Sequence, residues 1–242
     1  MMQQNATALN LKMGGGCAIL GAVAFATARL QHGDTPAADA EAALRFVASR
    51  PGHPAVHLFA VFAALVALGG LIGLATSLAR PSAWILARVG AASAVVGLAV
   101  FAVESTSEGL ALPELAAAAA ETTPAEHAEL VRAARAVAAV THGPSLVALA
   151  LLYGISLTLI GLAMVLDDYP SWLGWAGMVV GAATLIAAAG LFLVPTLFPG
   201  ALLYGVLASM VVPLWLVAAG ITMLRRAASL KHGTGPTETS AA

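Results

Sequence analysis

Apolar residues run along this chain in blocks too long for one face of a soluble helix. Six windows are nearly unbroken: Gly14–Arg29, Pro54–Ala79, Trp84–Glu104, His142–Leu166, Trp172–Pro195 and Ala201–Leu224. A helix that crosses a bilayer needs about 20 mostly apolar residues, and each window reaches or approaches that length. The pattern predicts an all-α integral membrane bundle of six transmembrane helices, one domain over residues 1–230, with a disordered polar tail over 231–242. Two intervening stretches, Ala37–Ser49 and Ala125–Val140, put charged residues on one helical face and apolar residues on the other. They are expected to be surface helices. Pro51-Gly52-His53-Pro54 follows the first and His142-Gly143-Pro144 the second. Proline lacks a backbone donor and glycine weakens a helix, so each surface helix is expected to stop there.

The two breaks lie in similar surroundings. After His53-Pro54 the chain reads Leu71-Ile72-Gly73-Leu74-Ala75 and then Pro81-Ser82; after His142-Gly143-Pro144 it reads Leu159-Ile160-Gly161-Leu162-Ala163 and then Pro170-Ser171. A repeated unit accounts for this: a helix out, a surface helix, a helix back. The last two windows form a third, shorter hairpin turned by Pro195–Gly200. The first window has features of a signal peptide, namely Lys12 ahead of it and Ala26-Thr27-Ala28 as a cleavage-like site. It is read as a retained span, because cleavage would leave the first unit without its outgoing helix.

Composition agrees. Of 242 residues 60% are hydrophobic and 10% charged, against about 25% charged in soluble domains, so most of the outer surface faces lipid. A net charge of -1 makes no case for nucleic acid as a partner. The one cysteine, Cys17, has no partner for an internal disulfide. Lys12, Arg80, Arg88, Arg225, Arg226 and Lys231 sit close to helix ends on one side, together with Trp84, Trp172 and Trp175. The opposite segments carry Arg29, Arg45, Arg50, Arg132 and Arg135 but also most of the acids. This distribution places both termini in the cytoplasm.

No charged residue lies near the middle of a span, which argues against a proton-coupled pump with a midplane carboxylate. The chemistry gathers at the outer edge instead. Counted from the inner helix ends at about 1.5 Å per residue, His57, Glu104 and His142 rise to roughly 34–36 Å, with His53 one turn further out. His53 and His57 are four residues apart and share a helix face. Three readings stay open. In the first, His53, His57, Glu104 and His142 bind a transition metal, or His53, His57 and His142 supply axial ligands to one haem b, with Gly69, Gly70 and Gly154 leaving room for the ring. In the second, the chain transports or binds a small molecule at the outer face, in a cavity that reaches Tyr153, Ser156 and Thr158. In the third, the chain is a structural or partner-binding membrane protein with no site: His53 and His142 cap helices, and Glu104 pairs with Arg29 or Arg135. His32, His127 and His232 are read as solvated, and Asp167-Asp168-Tyr169 as an exposed acidic turn. Motifs for zinc proteases, phosphate-binding loops and serine hydrolases are absent. The oligomeric state is not encoded in any pattern of this kind.

The segment from Tyr169-Pro-Ser-Trp-Leu-Gly-Trp175 to Leu224-Arg225-Arg226 resembles the C-terminal part of small bacterial six-span proteins of unknown function, in which the fifth span opens with Pro, Trp and Gly. The resemblance implies six spans and a bacterial inner membrane. It brings no site residues.

Overall fold

The computed structural model describes residues 2–33, 35–36, 39–196 and 203–232; for residues 2–4, 203–204 and 231–232 only the backbone is described. The turn at 197–202 and the tail after 232 lie outside the described residues, so the third hairpin's turn and the expected disordered tail are not described. Every regular element described is helical. The elements are α1 (Met2–His32), α2 (Ala40–Ala48), α3 (His53–Ser77), α4 (Pro81–Ala119), α5 (Pro124–Leu149), α6 (Ser156–Val165), α7 (Ser171–Leu193) and α8 (Val212–His232). A π-helical segment, Ala150–Ile155, joins α5 to α6 without a break, and a second, Leu203–Val211, leads into α8.

Among the described residues six helices are long and apolar enough to cross a membrane, and the chain is an all-α membrane bundle. The helices form a ring: α1 packs on α3 and α8, α3 on α4, α4 on α5 and α6, α6 on α7, and α7 returns to α8. Leu20, Leu30, Ile186, Leu193 and Leu214 point outward and are largely exposed, as lipid-facing side chains are. Lipid gives helices no hydrophobic reason to associate, so contact depends on close fit between small residues. A Cβ on Gly70 would stand 2.5 Å from Ala18 Cα, and one on Gly73 2.6 Å from Gly14 Cα. At Gly21 a Cβ would fall within the backbone of Ala67. Such residues let α1 and α3 run almost backbone to backbone. Gly174 does the same for α6 and α7, where a Cβ would stand 2.8 Å from Gly161 O.

The two expected surface helices come out differently. The first is α2, capped by Asp39, whose side chain accepts from Ala42 N at 3.0 Å. The second is not separate. α5 passes through His142-Gly143-Pro144 and continues to Val165, giving one rod from Pro124. Pro144 deprives only the Val140 carbonyl of its i+4 donor, and α4 packed alongside holds the rod together. α4 also runs past Glu104 to Ala119, because Leu110, Ala111, Leu112 and the alanines after Leu115 are strong helix formers. At 39 residues it is about 58 Å long, nearly twice the hydrocarbon thickness. Its far half, the start of α5 and α2 bury a second core of Ala40, Leu44, Val47, Leu112, Ala116 and Ala134. The apolar face of α2 therefore rests on protein rather than on lipid. We call this side distal and the side of the described chain ends proximal.

On the proximal side the acidic turn is a clasp. Asp167 Oδ2 accepts from the backbone N–H groups of Ala79 and Arg80, both at 3.0 Å, and Asp168 pairs with Arg80. These bonds fasten the start of α4 to the end of α6. Asp167→Ala is expected to cost about 1–2 kcal/mol, as the loss of a helix cap does. A thermal melt in detergent that leaves the midpoint unchanged would count against the clasp.

Candidate metal centre

α1 ends at His32 for a local reason. Gly33 takes φ +68°, the left-handed conformation that closes helices and that glycine adopts without strain. Arg50 then reaches back, its Nη1 donating to His32 O at 2.8 Å and to Gln31 O at 3.3 Å. A side chain on Gly33 would also press on that guanidinium, its Cβ 2.8 Å from Arg50 Nη1. Gly33→Val is expected to cost more than about 1 kcal/mol and to release His32 from its place. A lowered melting midpoint is the readout, and an unchanged one would show that Gly33 does not close α1 in this way.

α3 begins at His53, with Gly52 as its cap and Pro54 in the first turn. His53 and His57 therefore project from one face, and both are buried, 3% and 5% exposed. α4 passes close by, because Gly109 has no side chain; a Cβ there would stand 2.7 Å from His57 Cβ. This crossing brings Ser105 and Glu108 to the imidazoles. His57 Nδ1 lies 3.0 Å from Ser105 Oγ.

The ring nitrogens converge. His32 Nε2 is 3.0 Å from His57 Nε2, which is 3.2 Å from His53 Nε2. One ligand atom from each of His32, His53, His57 and Glu108 falls within 4.8 Å of all the others. The protonation pattern matters here. His32 Nδ1 lies 2.7 Å from Gly33 O, a carbonyl that can only accept. Nδ1 therefore carries the proton, although Arg29 Nη1 is also within 3.3 Å of it. His32 Nε2 is left with a lone pair aimed at His57 Nε2. An imidazole nitrogen offers one hydrogen or one lone pair, so His57 Nε2 cannot make two good hydrogen bonds to two such neighbours. A cation between the rings would satisfy all three. Two nitrogens bound to a tetrahedral zinc at about 2.0–2.1 Å stand about 3.3 Å apart, close to the spacing seen.

The four residues expected from sequence are distributed unevenly. His53 and His57 are brought together. Glu104 is buried one turn below Glu108 and hydrogen-bonds with it. His142 is exposed in the middle of α5, on the rim of the cavity described below. Neither His53 nor His142 caps a helix. Two residues were missed. His32 lies beyond the apolar window, which stops at Arg29 and suggests a solvated side chain, yet Leu30-Gln31-His32 ahead of Gly33 is a helix C-terminus signal. Glu108 follows Glu104 by four residues, and it counts only once α4 is known to continue.

Below the imidazoles the helices line a partly open cavity of about 690 Å³. Arg29, Glu104 and Ser145 line its upper part, and Phe25, Phe101 and Leu152 its floor. It reaches Tyr153 but not Ser156 or Thr158. Ser156 is fully buried, and the Thr158 hydroxyl donates to Gly154 O at 2.7 Å where α7 packs closest. Gly69, Gly70 and Gly154 face Cys17, Ala18 and Leu185, so their missing side chains serve helix contacts rather than an open slot.

A six-span membrane bundle with a histidine cluster above an internal cavity is the class that fold and geometry define. The chain belongs to the DUF4386 family, a domain of unknown function, whose profile matches residues 13–220. No curated protein matches the chain. No solved structure matches it.

Proposed function

We propose that this membrane protein binds one divalent transition metal of the zinc class at its distal face, with His32, His53 and His57 as nitrogen ligands and Glu108 as an oxygen ligand. The convergence of three Nε2 atoms, two pairs of them 3.0 and 3.2 Å apart, carries the reading. Nitrogens gathered round a point suit an ion; a haem needs two imidazoles facing each other across a ring. The partners of the other ring nitrogens favour the same reading. Metal-bound histidines commonly donate their second N–H to a carbonyl or other acceptor, as His32 does to Gly33 O, and Ser105 Oγ is placed to accept from His57. Glu104 supports Glu108 through their hydrogen bond.

The test is elemental analysis of protein purified without a histidine tag, followed by zinc titration against a chelator of known affinity. One equivalent per chain is expected, and a metal-free chain that takes up no zinc overturns the proposal. Ser105→Ala is expected to weaken zinc binding about 10–100-fold, the usual cost of losing such a supporting partner. The same titration reads it, and an unchanged affinity would show that Ser105 does not orient the ring.

The reading extends to location. The cations at the proximal helix ends and the acid-rich distal segments support termini in the cytoplasm and a metal centre on the outer face of a bacterial inner membrane. Reporter fusions to the chain end and to the α4–α5 turn test this, and an external C-terminus would reverse it.

A further inference from the structure

We infer that the cavity under the histidine cluster binds a single-chain amphiphile with a carboxylate head, its head at the metal and its chain among the apolar floor residues. The inference rests on the metal reading above. Its own support is the shape and polarity of the cavity. The space is extended: its lining runs along α5 and the π-helical segment from Ala138 to Tyr153, roughly 20 Å at about 1.5 Å per residue. It is divided by chemistry along that length. Polar groups sit at the distal end, with Arg29, His32, His57, Glu104 and Glu108 around the cluster and Arg135 at the rim. Only carbon lines most of the other end: Phe25, Ala60, Phe101, Ala148, Leu149 and Leu152, with Tyr153 at the base. A volume of about 690 Å³ falls within the range of small-molecule sites, about 300–1,000 Å³. About 690 Å³ spread over that length suits one alkyl chain better than two.

Charge selects the head. With a divalent ion bound, the ion, Arg29 and Arg135 outweigh Glu104 and Glu108, so the polar end is positive on balance. Three imidazoles also leave a zinc-class ion able to take an exogenous oxygen, either beside Glu108 or in its place. A carboxylate matches both features; an alcohol lacks the charge and an amine has the wrong sign. Phe25, Ala60, Phe101 and Ala148 all belong to helices long and apolar enough to cross a membrane, so the bilayer is the nearest source of such a chain.

The experiment uses full-length protein in lipid nanodiscs, radiolabelled dodecanoate as probe, and zinc content measured on the same samples. Saturable binding is expected. Dodecanol and dodecylammonium should compete at least tenfold more weakly than unlabelled dodecanoate. Ala60→Phe and Ala148→Phe, on two different helices, should each fill the floor and weaken probe binding at least tenfold while zinc stays at one equivalent. Retained zinc shows that these variants are folded. Zinc-loaded wild-type protein without saturable dodecanoate binding overturns this inference and leaves the metal reading standing. So does undiminished binding in both filled variants. Competition by dodecanol equal to that of dodecanoate overturns the carboxylate assignment. A wild-type chain that takes up no zinc overturns the metal reading, and this one with it.

Discussion

Replacing His57 with alanine is expected to abolish stoichiometric zinc binding, with affinity falling more than about 100-fold, or more than about 2.7 kcal/mol. His57 Nε2 is the atom that both other imidazole nitrogens approach, at 3.0 and 3.2 Å. His32→Ala and His53→Ala should follow in the same direction. His142→Ala is the control: that side chain is exposed on the rim, outside the group of converging ligands. It should keep zinc within about twofold, a difference of less than about 0.5 kcal/mol. Chelator competition on the four proteins decides between the two sets. Retention of zinc by His57→Ala would sink the centre as described, and loss in His142→Ala alone would move it to the rim of the cavity.

Gly21→Val is expected to act as strongly from inside the bundle, well away from any ligand. A branched side chain there would overlap the backbone of Ala67, which cannot move aside as a flexible side chain can. α1 and α3 must separate. Overpacking of this kind typically costs about 1–3 kcal/mol. The further consequence falls on the histidine cluster and the metal site proposed there, because His32 is carried by α1 while His53 and His57 are carried by α3. Melting midpoint and zinc affinity should therefore fall together. Gly16→Val makes the comparison, since a Cβ at Gly16 has no neighbour within 4 Å; it should leave both nearly unchanged. A Gly21→Val protein with native zinc affinity would show that the α1–α3 fit does not hold the ligands in register.

Much of the architecture was readable one residue at a time. Six apolar windows report six spans because the requirement they meet, length in hydrocarbon, is local to each helix. The histidine pair on α3 was also readable, since residues four apart share a face in any helix. The break expected at His142-Gly143-Pro144 was not realised. Helix-breaking residues disturb only one or two hydrogen bonds, and neighbouring helices can hold the rod straight across the gap. The long run of α4 was missed for a related reason. Its far half is too polar to read as a span, and it is stable because α2 and the start of α5 cover it.

The sequence alone therefore determined the membrane class, the number of spans, the polar face that gathers the chemistry, and two of the residues in the cluster. Tertiary structure decided which other residues join them. His32 and Glu108 enter because α1 packs against α3 through Gly14, Gly21, Gly70 and Gly73, and because α4 passes His57 at Gly109. Glu104 is left one turn below and His142 on the rim by the same crossings. The physical reason is distance. Periodicity places a side chain on its own helix, but ligands must meet across three helices to within an ångström. That register is set by close contacts between backbones, which a pattern of letters does not contain.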